Sequence, residues 1–447
     1  MTQQATDATF APTGLAHAEE RTYAKVTARI VPFLFICYLA AYLDRVNVGF
    51  AKLQMLNELK FSETIYGLGA GIFFLGYVLF EVPSNIVLHK VGARLWIARI
   101  MITWGLISGA MAFVSTPTMF YIPRFLLGVA EAGFIPGILL YLTYWYPADR
   151  RGRITAIFLA AIPMSSIIGG PLSGWILSAL SGAHGLSGWQ WLFIVETVPS
   201  VLLGIITLFY LDDRVASVKW LNDEEKKIIA ANVAKDTQGK EDASHLAYAF
   251  KSGRVWLLSL IYFCIASGIY IISFWLPSII KQTGVSDPLY IGLLTAVPYI
   301  AAMIAMVLVN NNADRMRERR WHTTIPTLLA AAGLALTAFA ANNTLLAMIG
   351  LTIAAASVST SQASFWTGKF PGRGSGRRRH RLDQFDRQYR RVHQHVPGRL
   401  DDGPHPQHVG EPLSLCRPAR HRQRTPADAS RQADQQVAQG GAPWVLC

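Results

Sequence analysis

Long apolar stretches separated by short charged loops fill the chain up to Thr367. Ten of them read as helices, at roughly 29–49, 66–88, 95–114, 119–146, 154–180, 189–211, 255–279, 289–310, 323–342 and 345–367. No polar stripe runs along them, as it would in a soluble amphipathic helix. Each approaches or exceeds the ~20 residues that cross a bilayer. In hydrocarbon every backbone amide must be paired within its own segment, so these stretches are expected to be helical. The predicted fold class is therefore an all-α polytopic membrane protein.

The loops between the stretches supply an orientation. His89-Lys90-Val91-Gly92-Ala93-Arg94, Asp149-Arg150-Arg151-Gly152-Arg153 and Asp314-Arg315-Met316-Arg317-Glu318-Arg319-Arg320 all follow even-numbered spans. By the positive-inside rule these loops and the N-terminus are cytoplasmic, in an inner (plasma) membrane. Six spans, a polar connection from Asp212 to Arg254 and further spans suggest two repeated halves. The expected divisions are a cytoplasmic segment 1–28, a six-helix bundle 29–211 and a cytoplasmic linker 212–254. A partial four-helix bundle 255–367 and a tail 368–447 follow.

Composition narrows the picture only a little. The 52% apolar and 15% charged content argues against two or three soluble domains. The first 28 residues are polar and mixed in charge, unlike a signal peptide. Four cysteines, Cys37, Cys264, Cys416 and Cys447, show no zinc or disulfide spacing. The net charge of +13 would suggest an anionic partner, but the tail carries most of it.

Ionisable groups inside the spans are the candidate chemistry, because they are costly there. Span one holds Asp44 and Arg45, span two Glu81 with Tyr77 one turn earlier, and span four Arg124 and Glu131. The alternative is that Asp44 and Arg45 simply neutralise each other and that Arg124 snorkels from its place near the span's start. A buried carboxylate can take and release a proton. A buried arginine grips a carboxylate with two parallel hydrogen bonds. One of each at mid-membrane is the minimum needed to couple a proton to an organic anion. Gly169-Gly170-Pro171 with Gly174 in span five, and Gly128, Gly133, Pro136 and Gly137 in span four, permit close helix approach or a kink. The pairs Tyr270 with Trp275 and Phe365 with Trp366 fit either a cavity wall or ordinary packing.

At YLDRVNVGFA (42–51), FEVPSNIVLHKVGAR (80–94), RFLLGVAEAGFIPG (124–137), GWQWLFIVE (188–196), FWLPSIIK (274–281) and GLLTAVPYIAAMIAMVL (292–308) the sequence resembles the major facilitator superfamily. The resemblance covers about 27–367 and is to the anion:cation symporter branch, which includes tartrate, phthalate and galactonate permeases. It implies a major facilitator fold and proton-coupled uptake of a small organic anion by alternating access, with no enzyme activity. Carried over by position, it implies that Asp44 and Glu131 exchange the proton, and that Tyr42, Arg45, Tyr77, Arg124 and Trp366 serve the substrate. It places gating loops at His89 with Arg94 and at Asp314 with Arg315. In the second loop Asn310 and Arg317 stand where the superfamily has glycine. The implied partners are the anion and the lipid bilayer. A monomer is expected, with no specific nucleic acid and no cofactor beyond the coupling proton.

A twelve-span repeat would need two more helices, and residues 368–447 are instead rich in Arg, His, Gln, Pro and Gly. Taking the last two bases of each codon with the first base of the next permits A-S-I-N-S-I-G-N-I-A-G-F-I-S-T-Y-L-V-G-W-M from Arg381 onward. The remainder permits a second apolar run. The expectation is a frame slip between about Trp366 and Arg373, with a disordered basic tail in place of two helices. The alternative function is then a transport-inactive product whose tail meets lipid or nucleic acid only incidentally.

Overall fold

The computed structural model describes residues 11–238, 253–316, 318–340 and 343–367, and among them there are helices and turns but no strand. The expectations for 1–10, for 239–252 of the linker, for Arg317 and for the tail 368–447 lie outside the described residues. Among the described residues ten helical segments are long and apolar enough to cross a membrane. Their outward faces carry side chains such as Leu68, Val78, Leu106, Ile122, Phe209, Phe263, Leu328 and Phe339. An apolar exterior suits a bilayer solvent.

Helix α1 (Ala11–Glu58) begins within the segment assigned to 1–28 and runs on as one 48-residue rod. Tyr23 and Val26 near its start are buried. Helix α2 (Glu63–Val91) starts at Ser62, whose hydroxyl accepts from the Ile65 amide, with Glu63 in the first turn, as capping favours. Helix α3 is Ala93–Ala110.

The predicted fourth and fifth spans are each two helices. Thr116 caps α4 (Pro117–Glu131), with proline in its first turn. The chain then turns at Ala132 and Gly133 before α5 (Phe134–Trp145). Gly133 has φ +88°, a conformation a Cβ disfavours, and an added Cβ would strike Ser84. The Ser84 hydroxyl donates to the Ala132 carbonyl at 2.6 Å, so the break pairs a carbonyl that a continuous helix would have used. The fifth span divides at Ala160 into α6 (Ala148–Leu159) and α7 (Ala161–Ala179). Helix α8 (Gly188–Tyr210) is entered through Ser187, whose amide donates to the Gln190 side chain at 2.9 Å. The amphipathic α9 (Asp223–Gln238) follows. The last four spans are α10 (Gly253–Gln282), α11 (Pro288–Met316), α12 (Arg320–Phe339) and α13 (Thr344–Thr367).

Odd spans leave the face that carries the start of α1 (the near face) and even spans return to it. Helix α1 packs on α7 and α8 and also reaches α10, while α7 lies along α11. Gly170 and Gly174 make that second contact. A Cβ at Gly170 would sit 2.7 Å from the Gly292 carbonyl oxygen, and one at Gly174 2.5 Å from that of Pro288. Small residues let the backbones meet. This contact and the α1–α10 contact at Gly49 and Phe274 form a closed seam toward the far face.

Candidate functional site

Successive residues on a helix point about 100° apart, and α1 uses that to send two neighbouring charges in different directions. Asp44 faces α3 and α8. It accepts from Trp104 Nε1 at 3.1 Å, from Ser108 Oγ at 3.2 Å and from Ser200 Oγ. Arg45 faces α2, α4 and α10. Its Nη2 donates to Glu131 Oε1, and its Nη1 to the Tyr270 hydroxyl at 2.7 Å. The two do not neutralise each other, because each has its own partners. Asp44, Arg45 and Glu131 are 2%, 3% and 3% exposed, so the ion pair is shielded from water. Four rings, those of Tyr42, Phe73, Tyr77 and Tyr270, have centroids 5.5–5.9 Å from the guanidinium carbon. Their faces stabilise the cation further.

Beside this pair lies a cavity of about 300 Å³, at the small end of the range for small-molecule sites. Of the predicted residues, Tyr42, Arg45, Tyr77 and Trp366 line it, and Glu81 joins them. Nine aromatic side chains contribute to the wall, including Tyr38, Phe74, Phe158 and Tyr262. Trp366 meets Tyr262 edge-on with centroids 5.1 Å apart, and Tyr270 meets Phe74 at 4.6 Å. Gln362 and Thr155 add polar groups. Tyr42 also carries a hydrogen-bond chain across helices, through Ser273 Oγ at 3.1 Å to Tyr299 at 3.2 Å.

The remaining predicted residues lie elsewhere. Arg124 does not line the cavity. It is buried, donates from Nε to the Gly69 carbonyl at 3.1 Å and stands 5.1 Å from the Phe73 ring, so it does not snorkel either. The Arg94 amide donates to Asp213 Oδ1 at 2.8 Å, while His89 beside it is exposed. Asp314 accepts from Arg319, and Arg315 is exposed. Trp275 is absent from the cavity wall. With Tyr66 it covers Lys52, whose Nζ lies 4.7 and 5.5 Å from the two ring centroids and 2.7 Å from Glu63 Oε2. Lys281 completes this far-face closure by donating to the Leu53 carbonyl at 2.7 Å. Among the described residues no group of three or more His, Cys, Asp or Glu could hold a metal.

Two buried charges escape the sequence reading. Lys52 lies beyond the first span, which that reading ends at 49. Glu196 is 2% exposed and accepts from Ser173 Oγ at 2.6 Å. Its place inside an apolar span is a sufficient signal.

Comparison with known proteins covers the stretch of chain that holds these residues. Residues 34–377 match the Major Facilitator Superfamily. A protein of Pseudomonas putida named as a metabolite transport protein, NicT, is 50% identical over 356 residues, covering 79% of this chain and 81% of its own. One from Agrobacterium vitis named as a tartrate transporter is 50% identical over 350 residues, covering 78% and 77%. A quinolone resistance transporter of Acinetobacter baumannii is 43% identical over 350 residues, covering 78% and 80%. Among solved structures, a bacterial homologue of the human lysosomal transporter Spinster aligns with TM-score 0.62 at 16% identity, covering 76% of this chain and 74% of its own. A D-xylose–proton symporter aligns with TM-score 0.57 at 18% identity, covering 75% and 80%. At such identities the likeness is one of fold.

Proposed function

Because the chain belongs to the major facilitator superfamily of membrane transporters, we propose that it is the body of a proton-coupled importer of a small organic anion. The observation that carries this reading is the Arg45–Glu131 pair at the edge of an aromatic cavity. While Glu131 is ionised it occupies the guanidinium. A proton on Glu131 removes that competitor, and Arg45 is then free to hold a substrate carboxylate with two hydrogen bonds. Proton and anion therefore bind together, which is the thermodynamic content of symport. Asp44 is the second proton-exchanging group, Arg124 a supporting charge, and the His89–Arg94 and Asp314–Arg315 loops act at the gates.

The basic loops after even spans support an inner-membrane placement with the N-terminus in the cytoplasm. The cavity then faces the cytoplasm, and the seam of α1 with α10 and α7 with α11 seals the outside. Alternating access consists of opening that seam while the near side closes. A monomer is the expected working unit. The wall of nine rings favours an anion with a flat, ring-bearing body over a polyhydroxylated acid. The quinolone-named relative is consistent with this preference, whereas those named for tartrate would favour the hydroxy acid.

For residues 368–447 the out-of-frame reading is retained. It expects transport from a frame-restored chain and none from the chain ending in the Arg-rich tail. Equal uptake by the two in proteoliposomes would remove that reading.

In the frame-restored chain, uptake of benzoate driven by a pH gradient should collapse with an uncoupler and be abolished in Glu131→Gln. Tartrate should be the poorer substrate. Full pH-driven uptake in Glu131→Gln would overturn the role given to this carboxylate.

A further inference from the structure

A second acidic pocket lies between α1, α3, α7 and α8, separate from the cavity. Asp44 and Glu196 both enter it, and neither lines the cavity. The two carboxylates are unequally supplied. Asp44 has three hydrogen-bond donors, which suits a charged carboxylate that can only accept. Glu196 has one close donor, Ser173 on Oε1, and no hydrogen bond of normal geometry reaches its Oε2. Asn47, one turn after Asp44 on α1 and 1% exposed, turns its side-chain amide toward Glu196, yet neither of its amide atoms makes a hydrogen bond of normal geometry.

Among the described residues no cation compensates these acids. Arg45 is committed to Glu131 and Tyr270 on the other side of α1. The ionisable group facing Glu196 from α1 is Asp44, close enough for its charge to act on Glu196. From α7 comes the Ser173 hydroxyl, and from α3 come Trp104 and Ser108, which serve Asp44. Two like charges in one dry pocket repel, and the pair is relieved when one carboxyl keeps a proton. A proton on Glu196 Oε2 turns an orphan acceptor into a donor, in a pocket where the Asn47 carbonyl oxygen lacks one.

We propose that the proton held on this side of α1 is shared between Asp44 and Glu196, which makes Glu196 a further proton-binding group of this transporter, distinct from the Glu131–Arg45 pair. The proton comes from water and returns to it, with no other reactant. Ser173, which holds Glu196, sits between Gly170 and Gly174, the residues by which α7 closes on α11. Losing the proton sets two carboxylates against each other behind that contact, so proton occupancy here stabilises the closed seam. The role in transport rests on the proton-coupled reading above. Proton occupancy itself does not, and it is measured without any substrate.

The test is infrared spectroscopy of the full chain in nanodiscs at neutral pH, with the proton as the only ligand. The expected spectrum has a protonated-carboxyl stretch that disappears in Glu196→Gln, persists at a shifted position in Glu196→Asp and is untouched by Glu131→Gln. An identical band in wild type and Glu196→Gln overturns the proposal. If Glu196→Gln does not fold, Ser173→Ala decides. Loss of the hydroxyl should raise the frequency of the same band, and an unmoved band overturns the assignment.

Discussion

The first six spans and the last four divide the work unequally. Among the described residues, every buried Asp, Glu, Lys and Arg side chain lies in the first six: Asp44, Arg45, Lys52, Arg124, Glu131 and Glu196. The last four bury hydroxyls, such as Ser273, Thr295, Ser361 and Ser364, and supply the rings of Tyr262, Tyr270 and Trp366 to the cavity. One region thus holds the buried charges, and the other a neutral wall that meets them. The two touch at many points, among them the Tyr270 hydroxyl on Arg45, Ser273 on Tyr42, Lys281 on the Leu53 carbonyl and the glycine contact of α7 with α11.

The sharpest way to break this comparison is a matched pair of substitutions in the frame-restored chain. Arg45→Lys keeps the charge but loses the planar fork that reaches Glu131 and Tyr270 together. A hydrogen bond to a charged group is worth about 1.5–3 kcal/mol, so apparent anion affinity should fall roughly ten- to a hundredfold. Tyr270→Phe removes one hydroxyl from the neutral wall and should cost less. Competition binding with benzoate checks both, and an equal loss in the two would erase the distinction between the regions.

The seam offers a second, smaller effect. A leucine at Gly292 would meet the backbone of Gly170 and Gly174, and overpacking of this kind costs about 1–3 kcal/mol. Gly292→Leu should therefore shift the population toward an open far seam. Labelling of a cysteine introduced at the buried Thr295 should then accelerate. Unchanged labelling would show that the glycines are not what lets the regions close.

The smallest effect concerns α9. Burial alone would raise the Glu225 carboxyl, but hydrogen bonds from the Asn222 backbone and from Lys25 outweigh it and hold the group below its usual range. A depressed carboxylate contributes stability above its unfolded value, about pH 4.3. That contribution is lost as pH falls through the lower folded value. Hydrogen exchange in α9 should consequently quicken only under clearly acidic conditions, and Glu225→Gln should remove that dependence.

The ten spans are legible in the sequence because a bilayer demands unbroken apolar length, which periodicity displays directly. The pairing of Arg45 with Glu131 is half legible. Both stand out as charges inside spans, but neighbouring residues on a helix diverge, and which way each points is fixed by helices far away in the chain. For the same reason the sequence leaves open that Asp44 and Arg45 neutralise each other, and they do not. Gly133 reads as a kink or a packing residue, yet its left-handed backbone, which ends α4 just after Glu131, goes with the close packing of Ser84, itself hydrogen-bonded by Trp96 Nε1. Glu196 escapes the sequence reading although it obeys the same rule that singles out Glu131.

Lys52 gives the far closure an electrical property. The seal of the α1–α10 contact contains a positive charge, 5% exposed, clamped between two rings and Glu63. A unit charge carried across the whole membrane field is worth about 2.3 kcal/mol per 100 mV. With the far face outside, opening this seal separates Lys52 from Glu63 and from its two rings, and the membrane potential acts on whatever part of that charge moves. The rate of outward opening should then report membrane voltage as well as proton and solute.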